Sequence, residues 1–139
     1  MSACYLDASA IVKLVTAEAE TQALRAHLTQ HEHLLTSRLA TVEVPRALRR
    51  RGPESEALGA EAMRDVLELL ELVELDEGVA QEAATLAPPT LRSLDAIHLA
   101  CALAIGDELT ELITYDARLA AAARDAGLEV RAPAAPTTR

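Results

Sequence analysis

The hydrophobic positions change their spacing repeatedly along the chain, and each change predicts a new element. Residues 3–6 form a short apolar run that is typical of a buried strand, and from Ala8 onward the apolar residues recur at helical spacing. The same patterns predict further strands at residues 33–37, 72–75, 111–116 and 128–132. They predict helices at residues 21–28, 38–51, 53–70, 79–87, 94–105 and 117–126. We therefore expect strands and helices to alternate.

This alternation predicts an α/β fold, in which helices flank a central parallel sheet of four to five strands. Residues 1–131 are enough for one domain, and the sequence PAAPTTR at the end predicts a flexible C-terminal tail over residues 132–139. Open parallel sheets bind ligands at the carboxyl ends of their strands. Candidate functional residues are therefore sought at the strand ends.

Within the helix predicted at residues 38–51, Ser37 is placed to cap the first turn and Pro45 interrupts the interior. A proline inside a helix lacks an N–H donor and clashes with the preceding turn, at a cost of roughly 3 kcal/mol. We therefore expect a kink at Pro45.

Composition and charge exclude some of the functions that a protein with this fold can have. Of the 139 residues, 50% are hydrophobic, while Tyr5 and Tyr115 are the only aromatic residues. The net charge of −9 excludes a protein whose whole surface attracts nucleic acid. It does not exclude a nuclease, because clustered metal-binding acids would themselves make the charge negative.

Cys4 and Cys101 lie in apolar patterns without metal-ligand spacing, and we interpret them as small buried hydrophobic residues. The sequence shows no positively charged leader and no apolar run that could span a bilayer. We expect a cytoplasmic protein without a membrane partner.

Four acidic residues stand out by position. Asp7 and Asp116 end predicted strands and precede helices, Asp95 lies in a first helical turn, and Glu43 lies between valines. Each Asp taken alone is explained as a helix cap or a favourable charge at a helix start, and Glu43 as a solvated side chain. Together at one sheet edge, the four would repel one another unless a hard cation such as Mg²⁺ or Mn²⁺ bound them. Such a site suits hydrolysis of phosphodiester bonds by a metal-activated water.

Four sequence blocks carry these acids: YLDASAIVKL, SRLATVEVPRAL, SLDAIHLACAL and TYDARLAAAA. In this order they resemble the acidic blocks of the PIN-domain family, and most of all its VapC-type ribonuclease toxins. The resemblance spans residues 3 to about 130. It implies a single PIN-like domain and endoribonuclease activity that depends on Mg²⁺, with Mn²⁺ as a substitute, leaving 5′-phosphate and 3′-hydroxyl ends. It also implies a toxin–antitoxin pair with a VapB-type antitoxin, gripped by the helical hairpin around residues 38–70, and a homodimer within a larger assembly.

Carried over to this chain, the resemblance implies that the catalytic, metal-binding acids are Asp7, Glu43, Asp95 and Asp116. Ser9 and Thr114 would be supporting hydroxyls. Pro45 departs from the family pattern and bears on how closely Glu43 approaches the metal. In the resembling fold the strand before Asp76 lies at the sheet edge, so Asp76 is excluded.

Other polar residues near these blocks have weaker assignments. On an unbroken helix Arg46 and Arg50 share a stripe with Glu43, where they would contact RNA phosphates; a solvated helix end explains them equally well. Arg92 and Arg118 are weaker phosphate candidates. We expect His98 to be a helix-face residue that meets a local partner rather than a metal ligand or a general base.

Two other functions remain open at this point. A phosphotransfer protein, either a receiver domain or an aspartate-nucleophile phosphatase, would also place an acid such as Asp7 at the end of the first strand. Ser9 stands where that phosphatase type needs a second Asp. A non-catalytic PIN-like binding module is the other alternative, and the presence of all four acids counts against it.

Overall fold

Five parallel strands form one sheet in the order β3-β2-β1-β4-β5, in a computed structural model that describes residues 2–136. Their bounds are Ala3–Leu6 (β1), His33–Ser37 (β2), Leu70–Val73 (β3), Leu109–Ile113 (β4) and Val130–Arg131 (β5). The α/β fold with a flanked parallel sheet is therefore confirmed. β1 occupies the centre, between β2 and β4, so its carboxyl end lies in the middle of one sheet edge.

Seven α-helices connect these strands. They are Ala8–Val15 (α1), Thr21–Leu28 (α2), Ala40–Arg50 (α3), Pro53–Leu69 (α4), Glu77–Thr85 (α5), Ser93–Ile105 (α6) and Ala117–Asp125 (α7). A short 3-10 turn follows α6, and Gly106 ends that helix with a φ of 73°, a conformation that favours glycine. The order of elements predicted from the sequence is confirmed.

Two strands are displaced from their predicted positions. β3 lies two residues earlier than predicted, because Leu70 pairs with Leu34 directly after α4, while Leu75 is exposed. β4 ends at Ile113 rather than at Asp116. Asp116 instead lies in the connection that leads into α7.

The start of α3 also differs from the prediction. A turn precedes the helix, so Leu39 occupies the N-cap position without a side-chain cap, and Ser37 Oγ accepts from Leu39 N–H (3.1 Å) instead. The capping role predicted for Ser37 is wrong. The helix continues on both sides of Pro45, and the kink there stays a prediction.

The core lies on both faces of the sheet. Because side chains alternate along a strand, Cys4 and Leu6 pack with one buried cluster and Tyr5 with the other. Helices α1, α3 and α4 cover the first cluster, and α6 and α7 cover the second. Cys4 and Cys101 are both buried and unbonded, as predicted. Across residues 2–136, no helix combines the length and the apolar character needed to cross a membrane.

The tail predicted at residues 132–139 is described only in part. Residues 132–136 have no regular secondary structure, and Tyr115 Oη donates to the Pro133 carbonyl (2.7 Å). Residues 137–139 lie outside the described residues. The domain boundary at residue 131 stays a prediction.

A close approach of α4 to α3 generates a stability prediction. A Cβ added to Gly59 would overlap the side chain of Leu48, which is 1% exposed. We expect the overlap to make Gly59→Ala less stable than Gly78→Ala, relative to the parent, by about 1–3 kcal/mol in the free energy of unfolding, measured by urea denaturation. Gly78→Ala is the matched control, because it also replaces a helical glycine, which favours the helix by up to about 1 kcal/mol, while its added Cβ meets only Asp76 Oδ1 at 3.5 Å. Equal changes in the two variants would contradict the tight packing of α4 on α3.

Candidate functional site

Three of the four predicted acids lie at the carboxyl edge of the sheet, and the fourth approaches the same edge from a helix. Asp7 follows β1, and Asp116 follows the neighbouring strand β4. Asp95 lies in the first turn of α6, and because the end of α6 leads into the start of β4, the first turn lies at the opposite, carboxyl edge. Glu43 joins them from the start of α3, which follows β2. The topology thus brings residues distant in sequence to one edge.

Asp7 is the most buried of these acids, at 3% exposed. Its Oδ1 caps α1 by accepting from Ala10 N–H (3.0 Å) and also accepts from Ser9 Oγ (2.7 Å), while Oδ2 accepts from Thr114 Oγ1 (2.6 Å). Burial raises the pKa of Asp7, and these hydrogen bonds offset only part of the rise. The two predicted hydroxyls therefore contact Asp7 directly.

Asp116 combines a structural contact with an open oxygen. Its Oδ1 caps α7 by accepting from the N–H groups of Arg118 (2.9 Å) and Leu119 (3.0 Å). Its own N–H donates to Thr114 Oγ1 (3.0 Å), which links it to the Asp7 network. The second oxygen, Oδ2, faces away from the cap and contacts Arg92. Asp116 is thus both a helix cap and a member of the cluster.

Arg92 bridges two of the acids. Its Nε lies 3.3 Å from Asp95 Oδ2 and its Nη2 lies 3.1 Å from Asp116 Oδ2. Burial raises the pKa of Asp95, the negative charge of Asp116 raises it further, and Arg92 and His98 offset part of the rise. The sequence suggested Arg92 only as a weak phosphate contact. The structure shows it as the cation that neutralises this pair of carboxylates.

Glu43 is held by a buried chain of hydrogen bonds. His98, which is 1% exposed, lies with Nε2 2.5 Å from Glu43 Oε1 and with Nδ1 2.7 Å from Tyr5 Oη. Burial raises the pKa of Tyr5 well above its ordinary value, so the phenol remains protonated and hydrogen-bonds with Nδ1, while Nε2–H donates to Glu43 Oε1. The partner expected for His98 exists, but it is not local, because Glu43 is 55 residues away. Sequence analysis did not predict that His98 positions Glu43. The signal for it was that His98 lies three residues after Asp95, on the same helix α6.

The remaining candidates lie outside the cluster. Arg46 and Arg50 are exposed on α3, and within residues 2–136 neither forms a hydrogen bond or an ion pair with the four acids. Asp76 follows the edge strand β3 and caps α5 by accepting from Val79 N–H (2.8 Å). Its exclusion agrees with this position.

The four acids offer only oxygen donors, which suits a hard divalent cation. Among the described residues, no three of these carboxylates have ligand oxygens that all lie within 4.8 Å of one another. Mg²⁺ commonly takes one or two carboxylates directly and keeps several waters, so it does not require closer spacing. The donor set, the buried Asp7 and the paired charges of Asp95 and Asp116 therefore fit such an ion.

The sequence of this chain is similar to those of a known protein family. The sequence profile of the PIN domain matches residues 4–125. Ribonuclease VapC46 of Mycobacterium tuberculosis is 44% identical over 133 residues, covering 96% of this chain and 99% of that protein. Ribonuclease VapC47 of the same species is 43% identical over 135 residues, covering 94% of this chain and 97% of that protein.

Solved structures share the fold at lower identity. VapC20 of Mycobacterium tuberculosis, described as a toxin that cleaves the sarcin-ricin loop, has a TM-score of 0.69 and 15% identity, covering 90% of this chain and 95% of that one. VapBC2 from Rickettsia felis, bound to a DNA fragment from its promoter, has a TM-score of 0.71 and 12% identity, covering 94% and 98%. At these identities the likeness concerns the fold alone.

The burial of Asp7 predicts a cost in stability. Because the folded-state pKa is raised, ionisation of Asp7 lowers the stability of the parent protein as the pH rises from the ordinary Asp pKa through the raised value. We expect Asp7→Asn to have a higher free energy of unfolding than the parent at pH 7 without added metal, and the difference to shrink at acidic pH. Urea denaturation at several pH values measures it.

The matched control for this experiment is Asp76→Asn, because Asp76 also caps a helix from its Oδ1 but is exposed. We expect a change within about 0.5 kcal/mol, as for ordinary surface substitutions. A loss of stability in Asp7→Asn at pH 7 would show that the Asp7 charge is compensated within the protein.

Proposed function

This chain belongs to the PIN domain family, among its VapC-type ribonucleases, and we propose that Asp7, Glu43, Asp95 and Asp116 are its catalytic, metal-binding acids. One observation carries this assignment: a carboxylate at 3% exposure ends the central strand and forms no salt bridge with another described residue, beside two further acids that share one arginine. Hydrogen bonds offset only part of the free-energy cost of burying this charge, and a bound cation would offset more of it. The reaction that suits the site is hydrolysis of RNA phosphodiester bonds.

We assign distinct tasks to the residues of the site. Ser9 and Thr114 hold both oxygens of Asp7 in a fixed orientation, and the His98 hydrogen bond fixes one oxygen of Glu43. When bound, a divalent cation supplies a water of lowered pKa and stabilises charge on the phosphate. Arg92, at 65% side-chain exposure, can exchange its carboxylate partners for a phosphate oxygen of RNA. Water attack in line would leave a 5′-phosphate and a 3′-hydroxyl.

RNA binding in an acidic protein requires local positive charge. The exposed guanidiniums of Arg46 and Arg50 lie on the helix that carries Glu43, and we assign them to phosphates flanking the cleaved bond. The chain holds two aromatic residues, of which Tyr5 is fully buried. Recognition by base stacking is therefore disfavoured, and phosphate and shape contacts are favoured.

We propose that the protein is the toxin of a toxin–antitoxin module. Its relatives carry the VapC name, and VapBC2 was solved as a complex bound to promoter DNA. The partners are then an RNA substrate, a VapB-type antitoxin and a second copy of the chain. Mg²⁺ is the proposed cofactor, Mn²⁺ a substitute, and the cytoplasm the proposed location, where both thiols remain reduced.

The family match disfavours the phosphotransfer alternative, because the PIN-domain profile covers residues 4–125 and the relatives of this chain are named ribonucleases. Ser9 also stands where the aspartate-nucleophile phosphatase type needs a second Asp. The non-catalytic alternative predicts no cleavage, so the next experiment tests it.

Loss of a proposed acid should abolish RNA cleavage. We expect Asp7→Asn and Asp95→Asn to cleave at least about 100-fold more slowly than the parent, because a bound cation supplies several kcal/mol of transition-state stabilisation. A chelator should stop cleavage by the parent, and Mg²⁺ or Mn²⁺ should restore it. Gel analysis of labelled RNA incubated with the purified protein measures each rate.

Asp76→Asn is again the control and should cleave like the parent, because Asp76 lies beside the edge strand. Full activity of folded Asp7→Asn and Asp95→Asn would exclude the proposed site. Full activity of the parent in chelator would exclude the metal.

The Tyr5–His98–Glu43 chain should influence the metal rather than the fold alone. Tyr5→Phe removes only the hydroxyl that fixes the His98 ring, and loss of such an outer hydrogen bond typically costs 10–100-fold in metal affinity or activity. We expect Tyr5→Phe to need about tenfold more Mg²⁺ for half-maximal cleavage.

Tyr115→Phe is the matched control, because among the described residues its hydroxyl hydrogen-bonds only to the Pro133 carbonyl. Its Mg²⁺ requirement should equal that of the parent. An unchanged Mg²⁺ requirement in Tyr5→Phe would mean that His98 does not position Glu43 for the metal.

A further inference from the structure

A second cluster of metal-ligating side chains lies at the opposite edge of the sheet. Cys4, His31 and Glu111 each offer a ligand atom, and these atoms all lie within 4.8 Å of one another. Within residues 2–136 it is the only group of three or more His, Cys, Asp or Glu side chains with this spacing. The nuclease proposal uses none of these residues.

The backbone places two of these residues side by side. Cys4 on β1 and Glu111 on β4 are paired in the parallel register, so their side chains occupy neighbouring positions across the strand pair. The side-chain exposure of Glu111 is 9%, and Cys4 is fully buried. An acid inside a sheet, next to a thiol, is not explained by packing.

Two histidines approach Glu111, His27 from the last turn of α2 and His31 from the segment that follows α2. His27 Nε2 and His31 Nε2 both contact Glu111 Oε1, the latter at 2.7 Å. Burial raises the pKa of Glu111, but the hydrogen bonds from the two histidines outweigh it and lower that pKa. Glu111 is therefore a charged carboxylate, contacted at Oε1 by two imidazole groups and at Oε2 by Arg131 Nε, 3.9 Å away.

His31 leaves one nitrogen without a partner. The His31 side chain is 4% exposed, and its Nδ1 is the only buried side-chain nitrogen or oxygen without a hydrogen-bond partner among the described residues. When His31 Nε2–H donates to Glu111, Nδ1 of a neutral ring offers a lone pair that can bind a metal ion. A buried acceptor without a donor costs free energy, and a bound cation would remove that cost.

The donor types indicate which cation. Thiolate sulfur, imidazole nitrogen and carboxylate oxygen are the ligands of Zn²⁺, whereas Mg²⁺ and Ca²⁺ take oxygen alone. A ligating histidine also usually donates its other N–H to a carboxylate, as His31 does to Glu111. The hydrogen bond between His31 and Glu111 is thus the kind that a zinc-binding histidine usually forms with a neighbouring carboxylate.

We propose that Cys4 and His31 bind Zn²⁺ at a site separate from the nuclease centre, with Glu111 as the outer carboxylate that hydrogen-bonds His31 Nε2 and His27 as the residue that positions Glu111. Burial raises the pKa of the Cys4 thiol, so the free protein holds it protonated, and binding of Zn²⁺ releases that proton to solvent as the sulfur–metal bond forms. Bound Zn²⁺ would join β1 and the segment after α2.

The thiolate provides a spectroscopic signal that the acidic site cannot give. We would titrate the full chain, freed of metal by a chelator, with Co²⁺ as a stand-in for Zn²⁺ in the presence of excess Mg²⁺. We expect one Co²⁺ per chain with a thiolate-to-metal charge-transfer absorption band, and displacement of that Co²⁺ by Zn²⁺. Absence of the band in the parent protein would overturn the proposal without any variant.

Two variants and a matched control identify the ligands. Cys4→Ser should lose the charge-transfer band, and Glu111→Gln should weaken Zn²⁺ binding by at least about tenfold, the lower range for loss of an outer partner of a metal ligand. Cys101→Ser also removes a buried thiol but lies in the other core cluster, so it should keep the band and the affinity. Circular dichroism confirms that each variant is folded.

An unchanged band in Cys4→Ser would assign the thiolate elsewhere and contradict the proposal. Its failure would be distinguishable from failure of the nuclease proposal, because RNA cleavage rests on residues at the other sheet edge.

Discussion

The structure depends on one costly feature, the burial of a carboxylate at the end of the central strand. Asp7 is 3% exposed, and three hydrogen bonds orient its oxygens without cancelling the effect of burial on its pKa. Thr114 also accepts from Asp116 N–H, so the same hydroxyl connects the ends of β1 and β4. Arg92 balances Asp95 and Asp116, while His98 holds Glu43. The surrounding residues therefore arrange negative charge around a place that suits a cation.

The sequence predicts the fold, and the placement of the proposed acids at strand ends and helix starts, because both depend on local pattern, whereas the exclusion of Asp76 rests on the family resemblance. Changes from strand to helical spacing identify the elements, and the carboxyl ends of neighbouring parallel strands must share an edge. Pairing, however, is not local. The sequence placed β3 two residues late, because Leu70 becomes a strand residue only through pairing with Leu34. It also gave Ser37 a capping role that the turn before α3 removes.

The sequence did not predict the side-chain contacts within the site, because these contacts also join residues that are distant in the chain. Arg92 meets Asp116 across 24 residues and His98 meets Glu43 across 55 residues, distances over which no sequence spacing is informative. Cys4 was correctly predicted to be buried. Its apolar neighbours in sequence do not indicate that Glu111 and His31 lie beside it, because these residues belong to another strand and a loop. Hydrophobic pattern indicates burial, whereas it does not indicate which polar groups are buried together.

The most direct test of the central claim is the position of a bound ion. Crystals of the full chain grown with Mn²⁺, measured at a wavelength where manganese scatters anomalously, would locate the ion independently of any assay. We predict an anomalous peak at the carboxyl edge, contacted directly or through water by Asp7 and at least two of Glu43, Asp95 and Asp116. A Mn²⁺-saturated crystal without a peak at that edge would contradict the account.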